Sequence, residues 1–265
     1  MIKLQYGQHT AQVPQNWDEL NPKQLSRTIA ILSQETNAIT GQLAVVHMLL
    51  PHAFKKAMLK FTGLELAELL KNFSFLLEQP SLSTFKFTAI RPHWFSRKYY
   101  GPTNALANLS VREYGRAEFY LNKYASAQSS QDARAQEYLD KFIGCIYFKK
   151  ENGDRYVPQS TGRFDSQIKK NALVLGGALK PAQKAAIAWN FSAVRNYVFA
   201  QFEDAFTKSE AKSKRDKYGW DGVVQHLAAT RNMVPDSIYH MNLIELLIQL
   251  DTLAIANQER EEQQP

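Results

Sequence analysis

The sequence predicts a mainly α fold, an irregular multi-helix bundle with a small N-terminal β element. Three observations carry this reading. Apolar residues recur at helical spacing through most of the chain, helix-start signals stand at Asn21-Pro22, Ser110 with Glu113 and Asn242 with Glu245, and strict alternation is confined to two short stretches. Of 265 residues 45% are hydrophobic and 12% aromatic against 22% charged, so a packed core is available and a disordered or fibrous chain is excluded.

Along the chain, Ile2, Leu4 and Tyr6 alternate with Lys3, Gln5 and Gly7, the period of a strand. Asn21 caps a helix over 22–32, with Pro22 at the first position, where its missing N–H costs nothing. Apolar spacing predicts helices over 41–50, 52–61 and 64–77, punctuated by Pro51 and Gly63. In 84–90, Phe85, Phe87 and Ala89 alternate with Lys86 and Thr88, so this stretch is expected to pair with the N-terminal strand. Pro92, Gly101 and Pro102 make the next segment, RPHWFSRKYYGPTNALANL, a long ordered loop or arm.

Ser110 and Glu113 form a capping box that opens a helix to about residue 126, with Tyr114, Ala117, Leu121 and Tyr124 on one face. A partner helix over 131–147 is expected to bury Tyr138, Phe142, Cys145 and Ile146, completing an αα-hairpin. The turn-rich stretch 149–162, KKENGDRYVPQSTG, marks a boundary between an N-terminal helical region with a small sheet, 1–148, and a C-terminal helical region, 163–265, unless the two form one continuous domain. A short helix over 164–175 is expected to stop at Gly176-Gly177. The helix from Pro181 to about residue 206 carries apolar side chains at nearly every azimuth, among them Ile187, Trp189, Phe191, Val194, Tyr197, Val198, Phe199 and Phe202, and should be central and mostly buried. Residues 208–217 hold five basic and two acidic residues and read as a mobile loop. Helices over 220–229 and from Asn242 onward close the chain, the last with Leu243, Leu246, Leu247, Leu250, Leu253 and Ala254 on its apolar face and a tail, QEREEQQP, expected to fray.

Chemical motifs are sparse. The single cysteine, Cys145, excludes an internal disulfide and a Cys-cluster metal site, and it points to a reducing compartment. Gly176-Gly177 lacks the Lys-Ser/Thr of a phosphate loop, no G-x-S-x-G elbow occurs, and His9, His47, His52, His93, His226 and His240 lack ligand spacing. The acid pairs Glu65/Glu68, Glu203/Asp204 and Asp216/Asp221 occupy solvated helix positions or charged loops, where acids serve capping and solubility. We therefore expect no catalytic residues, no metal and no cofactor. The N-terminus MIKLQYGQHTAQVP lacks a charged leader before an apolar run, and the apolar stretches near 173–179 and 243–256 are too short or carry Glu245, Gln249 and Asp251, so the expectation is a cytoplasmic protein without a membrane span.

The densest constellation is 85–100, where Lys86, Arg91, His93, Arg97 and Lys98 interleave with Phe85, Phe87, Trp94, Phe95, Tyr99 and Tyr100. Cations between rings suit a protein interface, for which Arg91, Trp94, Phe95, Arg97, Lys98, Tyr99 and Tyr100 are the candidates. They suit single-stranded nucleic acid too, with Lys86 and the basic run Lys208, Lys212, Lys214, Arg215 and Lys217 as its electrostatic footprint. A third reading places the rings in the core and leaves the cations solvated. The net charge of +7 permits a polyanion without requiring one.

Two segments carry a family resemblance. The helix LANLSVREYGRAEFYLNKYA and its partner YLDKFIGCIYF resemble a pattern in proteins of phages and prophages from Bacteroidetes, matched here by Leu109, Ser110, Tyr114, Ala117, Glu118 and Tyr120, then Leu139, Ile143 and Tyr147. The segment GWDGVVQHLAATRNMVPDSIYHMNLIELLIQL is similar to the C-terminal part of tail-assembly proteins encoded beside the tape-measure gene, through Trp220, Leu227, Met241, Glu245 and Leu246. The resemblance implies a non-enzymatic accessory or chaperone factor that binds tail-tube or tape-measure protein, in the host cytoplasm or on the virion. Its motifs are caps and core positions with no chemistry attached.

Overall fold

The computed structural model describes residues 1–6, 8–202, 205 and 219–262. Among these, eleven α-helices and six short strands make the fold mainly α. The chain divides into two compact units, one formed by Met1–Lys86 with Lys180–Asn196, the other by Phe87–Leu179 with Tyr197–Pro265.

In the first unit β1 (Ile2–Tyr6) pairs antiparallel with β2 (His9–Val13), Leu4 facing Ala11. The partner expected at 84–90 is not used. Sequence neighbours pair at little loop-closure cost, and residues 83–86 are held by side chains instead: Asp18 accepts from the N–H groups of Ser83 and Thr84, both at 3.1 Å, and Asn190 accepts from the Lys86 N–H at 2.7 Å. Helix α1 (Pro22–Leu32) starts where the sequence places it, with Asn21 and Gln24 capping one another reciprocally at 2.9 and 3.0 Å. It is followed by α2 (Ala38–Leu49), α3 (His52–Met58) and α4 (Gly63–Lys71). The 64–77 helix is shorter than the spacing suggests, because the chain turns after Lys71 and resumes as a 3-10 turn over Ser74–Leu77. Buried Gln42 spans the break: its amide donates to the carbonyls of Leu70 and Phe73, at 3.1 and 3.0 Å, each of which also accepts a backbone N–H, from Phe73 and Leu76 respectively. The core gathers Trp17, Phe54, Phe73, Phe75, Phe85 and Phe191, with Trp17 set edge-on to Phe75 at 5.4 Å and tilted against Trp189 at 4.5 Å.

The second unit contains a four-stranded antiparallel sheet of β3 (Ala89–Ile90), β4 (Tyr99–Tyr100), β5 (Phe148–Glu151) and β6 (Asp154–Arg155), in that order. The stretch read as a domain boundary is therefore a hairpin inside this unit. Asn152 and Gly153 between β5 and β6 have φ of 52° and 92°, the two left-handed residues that a tight type I′ turn demands. Helices α5 (Val111–Ser129), α6 (Ala135–Ile146) and α7 (Thr161–Ala178) lie side by side, α5 opened by the Ser110 and Glu113 capping box. Helix α7 ends at Ala178, one residue past the Gly176-Gly177 pair, and its C-cap Leu179 is extended, so the pair lies in the last turn without a left-handed glycine.

Helix α8 (Pro181–Phe199) contributes to both units and is buried along most of its length, as its all-round apolar surface requires; it ends earlier than residue 206. Then come α9 (Gly219–Arg231), α10 (Pro235–His240) and α11 (Leu243–Glu262). Val111, Val224, Leu227, Ala228, Ile238 and Leu246 form their common core with Trp220, Tyr239 and Met241 packed on it. Helix α11 takes in residues 258–262 of the tail expected to fray, and residues 263–265 lie outside the described residues. Among the described residues no helix is long and apolar enough to cross a membrane.

Candidate functional site

Residues 91–98 join β3 to β4, and among the described residues of the second unit they present the most exposed large rings. Trp94 is 84% exposed and Phe95 75% exposed. The core-packing reading holds for buried Phe85 and Tyr99 and fails for these two. Local hydrogen bonds fix the loop: the His93 N–H donates to Ser96 Oγ at 3.0 Å, the Ser96 hydroxyl and N–H both return to the His93 carbonyl at 2.8 and 3.0 Å, and Arg91 donates to the Trp94 carbonyl at 3.3 Å. His93 stacks on one face of Phe95 at 5.8 Å, and Trp94 meets Phe95 edge-on at 5.7 Å and 89°. The result is a preformed aromatic knob.

Arg91, Arg97 and Lys98 are exposed around it, whereas Tyr99 and Tyr100 are strand residues of the sheet beneath. Their rings carry the ammonium groups of Lys149 and Lys150, at 5.1 and 4.7 Å from the ring centres. Lys149 and Lys150 are the residues sequence reasoning missed. The signal was present as Asn152-Gly153, a dipeptide that favours a tight hairpin and so brings the preceding Lys-Lys into a sheet. With Arg97, Glu151, Asn152 and Gln167 they line a cavity of about 370 Å³.

Of the basic residues assigned to the nucleic-acid footprint, the structure describes Lys86. Lys86 belongs to the first unit, where its ammonium reaches the Asp18 carbonyl at 2.5 Å and the Asp18 carboxylate at 3.8 Å. Lys208, Lys212, Lys214, Arg215 and Lys217 lie outside the described residues, as do Glu203, Asp204 and Asp216.

Several titratable side chains elsewhere serve packing and capping. Glu65 accepts from the Thr62 N–H and hydroxyl at the start of α4, at 2.7 and 2.9 Å. Asp221 accepts from the Tyr239 hydroxyl at 2.7 Å, and burial first, then that hydrogen bond, pushes the phenol up to about 12. Buried Arg112 bonds Asp236 at 2.6 Å and the Gln159 carbonyl, and lies over the Tyr239 ring. No group of three His, Cys, Asp or Glu among the described residues is placed to hold a metal ion. Cys145 is fully buried, and burial pushes its thiol well above the usual range, which suppresses the nucleophilic thiolate. Native protein at pH 8 should therefore resist iodoacetamide at Cys145 and react fully once unfolded in urea. Rapid labelling of the native chain would remove this thiol from the core.

No protein-family model matches this chain, and neither does any curated protein or solved structure.

Proposed function

We propose that the chain is a non-enzymatic binding protein, an accessory or chaperone factor of phage or prophage tail assembly that grips a tail-tube or tape-measure protein with its Trp94–Phe95 loop. The supporting observation is the knob itself: Trp94 at 84% exposure beside Phe95 at 75%, on a loop already ordered by its own hydrogen bonds. Trp, Tyr and Arg dominate binding hot spots, and a loop ordered in advance avoids the entropy cost of ordering on contact. The tail-assembly part of the reading draws on the cap and core patterns around Ser110, Leu139 and Trp220.

Mixing the purified chain with tail-tube or tape-measure protein at micromolar concentration should give co-elution with one of them on size exclusion. Trp94→Ala and Phe95→Ala should each weaken that complex about 30-fold, about 2 kcal/mol, the size of an aromatic hot spot. Co-elution with neither protein would sink the tail-assembly role, and unchanged affinity in both variants would sink the role of the loop.

A second reading, single-stranded nucleic acid, is favoured by the cations Arg97, Lys98, Lys149 and Lys150 grouped near exposed rings. A salt series separates the two. Four phosphate contacts to a single strand give a log–log slope of about −3, whereas an apolar interface is nearly indifferent to salt.

A further inference from the structure

The cavity beside the loop has a charge imbalance that the loop does not explain. Arg97, Lys149 and Lys150 line it against Glu151, and among the described residues none of these three cations takes part in a salt bridge. Lys149 and Lys150 are exposed, and each is steadied over a tyrosine ring, a contact that orients an ammonium without neutralising it. The side-chain amide of Asn152 adds a neutral donor to the wall, while that of Gln167 donates to Asn171 Oδ1 at 2.8 Å.

Resting on the protein-binding reading above, we infer that this cavity receives the carboxylates of an acidic segment of the partner, adjoining the apolar patch that takes Trp94 and Phe95. Charge complementarity argues for an anion. Two features argue for carboxylates on a peptide over a nucleic-acid strand. Glu151 in the wall repels a phosphodiester chain that must carry a charge at every step, while a peptide can place its acids at Arg97, Lys149 and Lys150 and a neutral residue at Glu151. The rings also offer no run of parallel faces, since Trp94 stands at 89° to Phe95 and only His93 lies near-parallel to it, its ring centre 5.8 Å away. Successive stacked bases need such faces.

The test titrates the full chain into three fluorescein-labelled probes by anisotropy: a Leu-Glu-Glu repeat peptide, its Leu-Gln-Gln counterpart and an oligo-dT of matched length. The Glu peptide should bind about tenfold more tightly than the Gln peptide, with the charged groups on the cavity wall supplying the difference. Lys149→Gln with Lys150→Gln should abolish that preference, and Lys149→Arg with Lys150→Arg should keep it; circular dichroism checks that both pairs are folded. Equal binding of the two peptides, or a preference that survives the Gln pair, overturns the inference. So does an oligo-dT that binds more tightly than the Glu peptide and depends on the same lysines, which would make the cavity a phosphate site. Trp94→Ala isolates the loop: weakening of both peptides alike supports its anchoring role, whereas unchanged affinities with the Glu preference intact overturn the anchoring role and leave the cavity's selectivity standing.

Discussion

Arg155→Met should destabilise the second unit by about 3–5 kcal/mol, the range for stripping one partner from a buried ion pair. Arg155 in β6 is 10% exposed and Glu113 at the start of α5 is 2% exposed, with the guanidinium 2.5 Å from Glu113 Oε1. That approach is a charge contact without hydrogen-bond alignment, so Oε1 has no other donor to fall back on. The same guanidinium donates to the Tyr100 carbonyl at 3.0 Å and the Ile146 carbonyl at 2.7 Å, and it lies 4.9 Å over the Phe148 ring. One side chain therefore joins β4, the end of α6, β5 and the first turn of α5. Methionine fills the volume but leaves a buried carboxylate and two carbonyls without their donor. Urea unfolding should show a lower midpoint at unchanged slope. Combining the change with Glu113→Gln should cost less than the sum of the two singles, because the amide oxygen still accepts from Ser110 while the uncompensated charge is gone. A loss below about 1 kcal/mol for Arg155→Met would place this pair among ion pairs that contribute little.

The Arg155 hub shows which part of the fold a linear sequence discloses. Ser110 and Glu113 are three residues apart and were legible as a cap. Arg155 lies 42 positions beyond Glu113, and no local pattern announces that one carboxylate oxygen faces a strand not yet formed. The same division recurs throughout. Helices α1, α5, α6 and α8 were readable because caps and apolar periodicity are local. The sheet was not, because β3, β4 and β6 are two residues each, too short for alternation to register, and the β4–β5 pairing joins segments separated by the α5 and α6 hairpin. Gly176-Gly177 marked the end of α7 to within one residue, because a glycine pair is a local signal too. For the candidate site, composition singled out residues 91–98, but only the three-dimensional arrangement separates Trp94 and Phe95, which face solvent, from Tyr99, which does not. The hairpin that supplies Lys149 and Lys150 was hidden behind a turn-rich stretch that invites reading as a linker.

Gly144→Ala should cost about 2–3 kcal/mol, although alanine is the better helix former. A Cβ at this position of α6 would sit 2.6 Å from the Ile168 carbonyl oxygen and 2.9 Å from the Ala172 nitrogen, both backbone atoms of α7. Side chains can rotate away from such a clash; backbone cannot, so the two helices must separate. That separation would also pull on Asn171, which is 1% exposed and whose amide donates to the carbonyls of Gly144 and Tyr147 at 3.3 and 2.7 Å. Those carbonyls lie at the end of α6, where no further helical N–H is available to them. Gly177→Ala in α7 is the matched control, since a Cβ there meets nothing within 4 Å. The same chemical change should then stabilise by up to about 1 kcal/mol, because it only removes backbone freedom from the unfolded chain. Opposite signs for the two substitutions in thermal or urea unfolding are the expected result. A Gly144→Ala protein as stable as the parent would mean that α6 and α7 are not in backbone contact at this crossing.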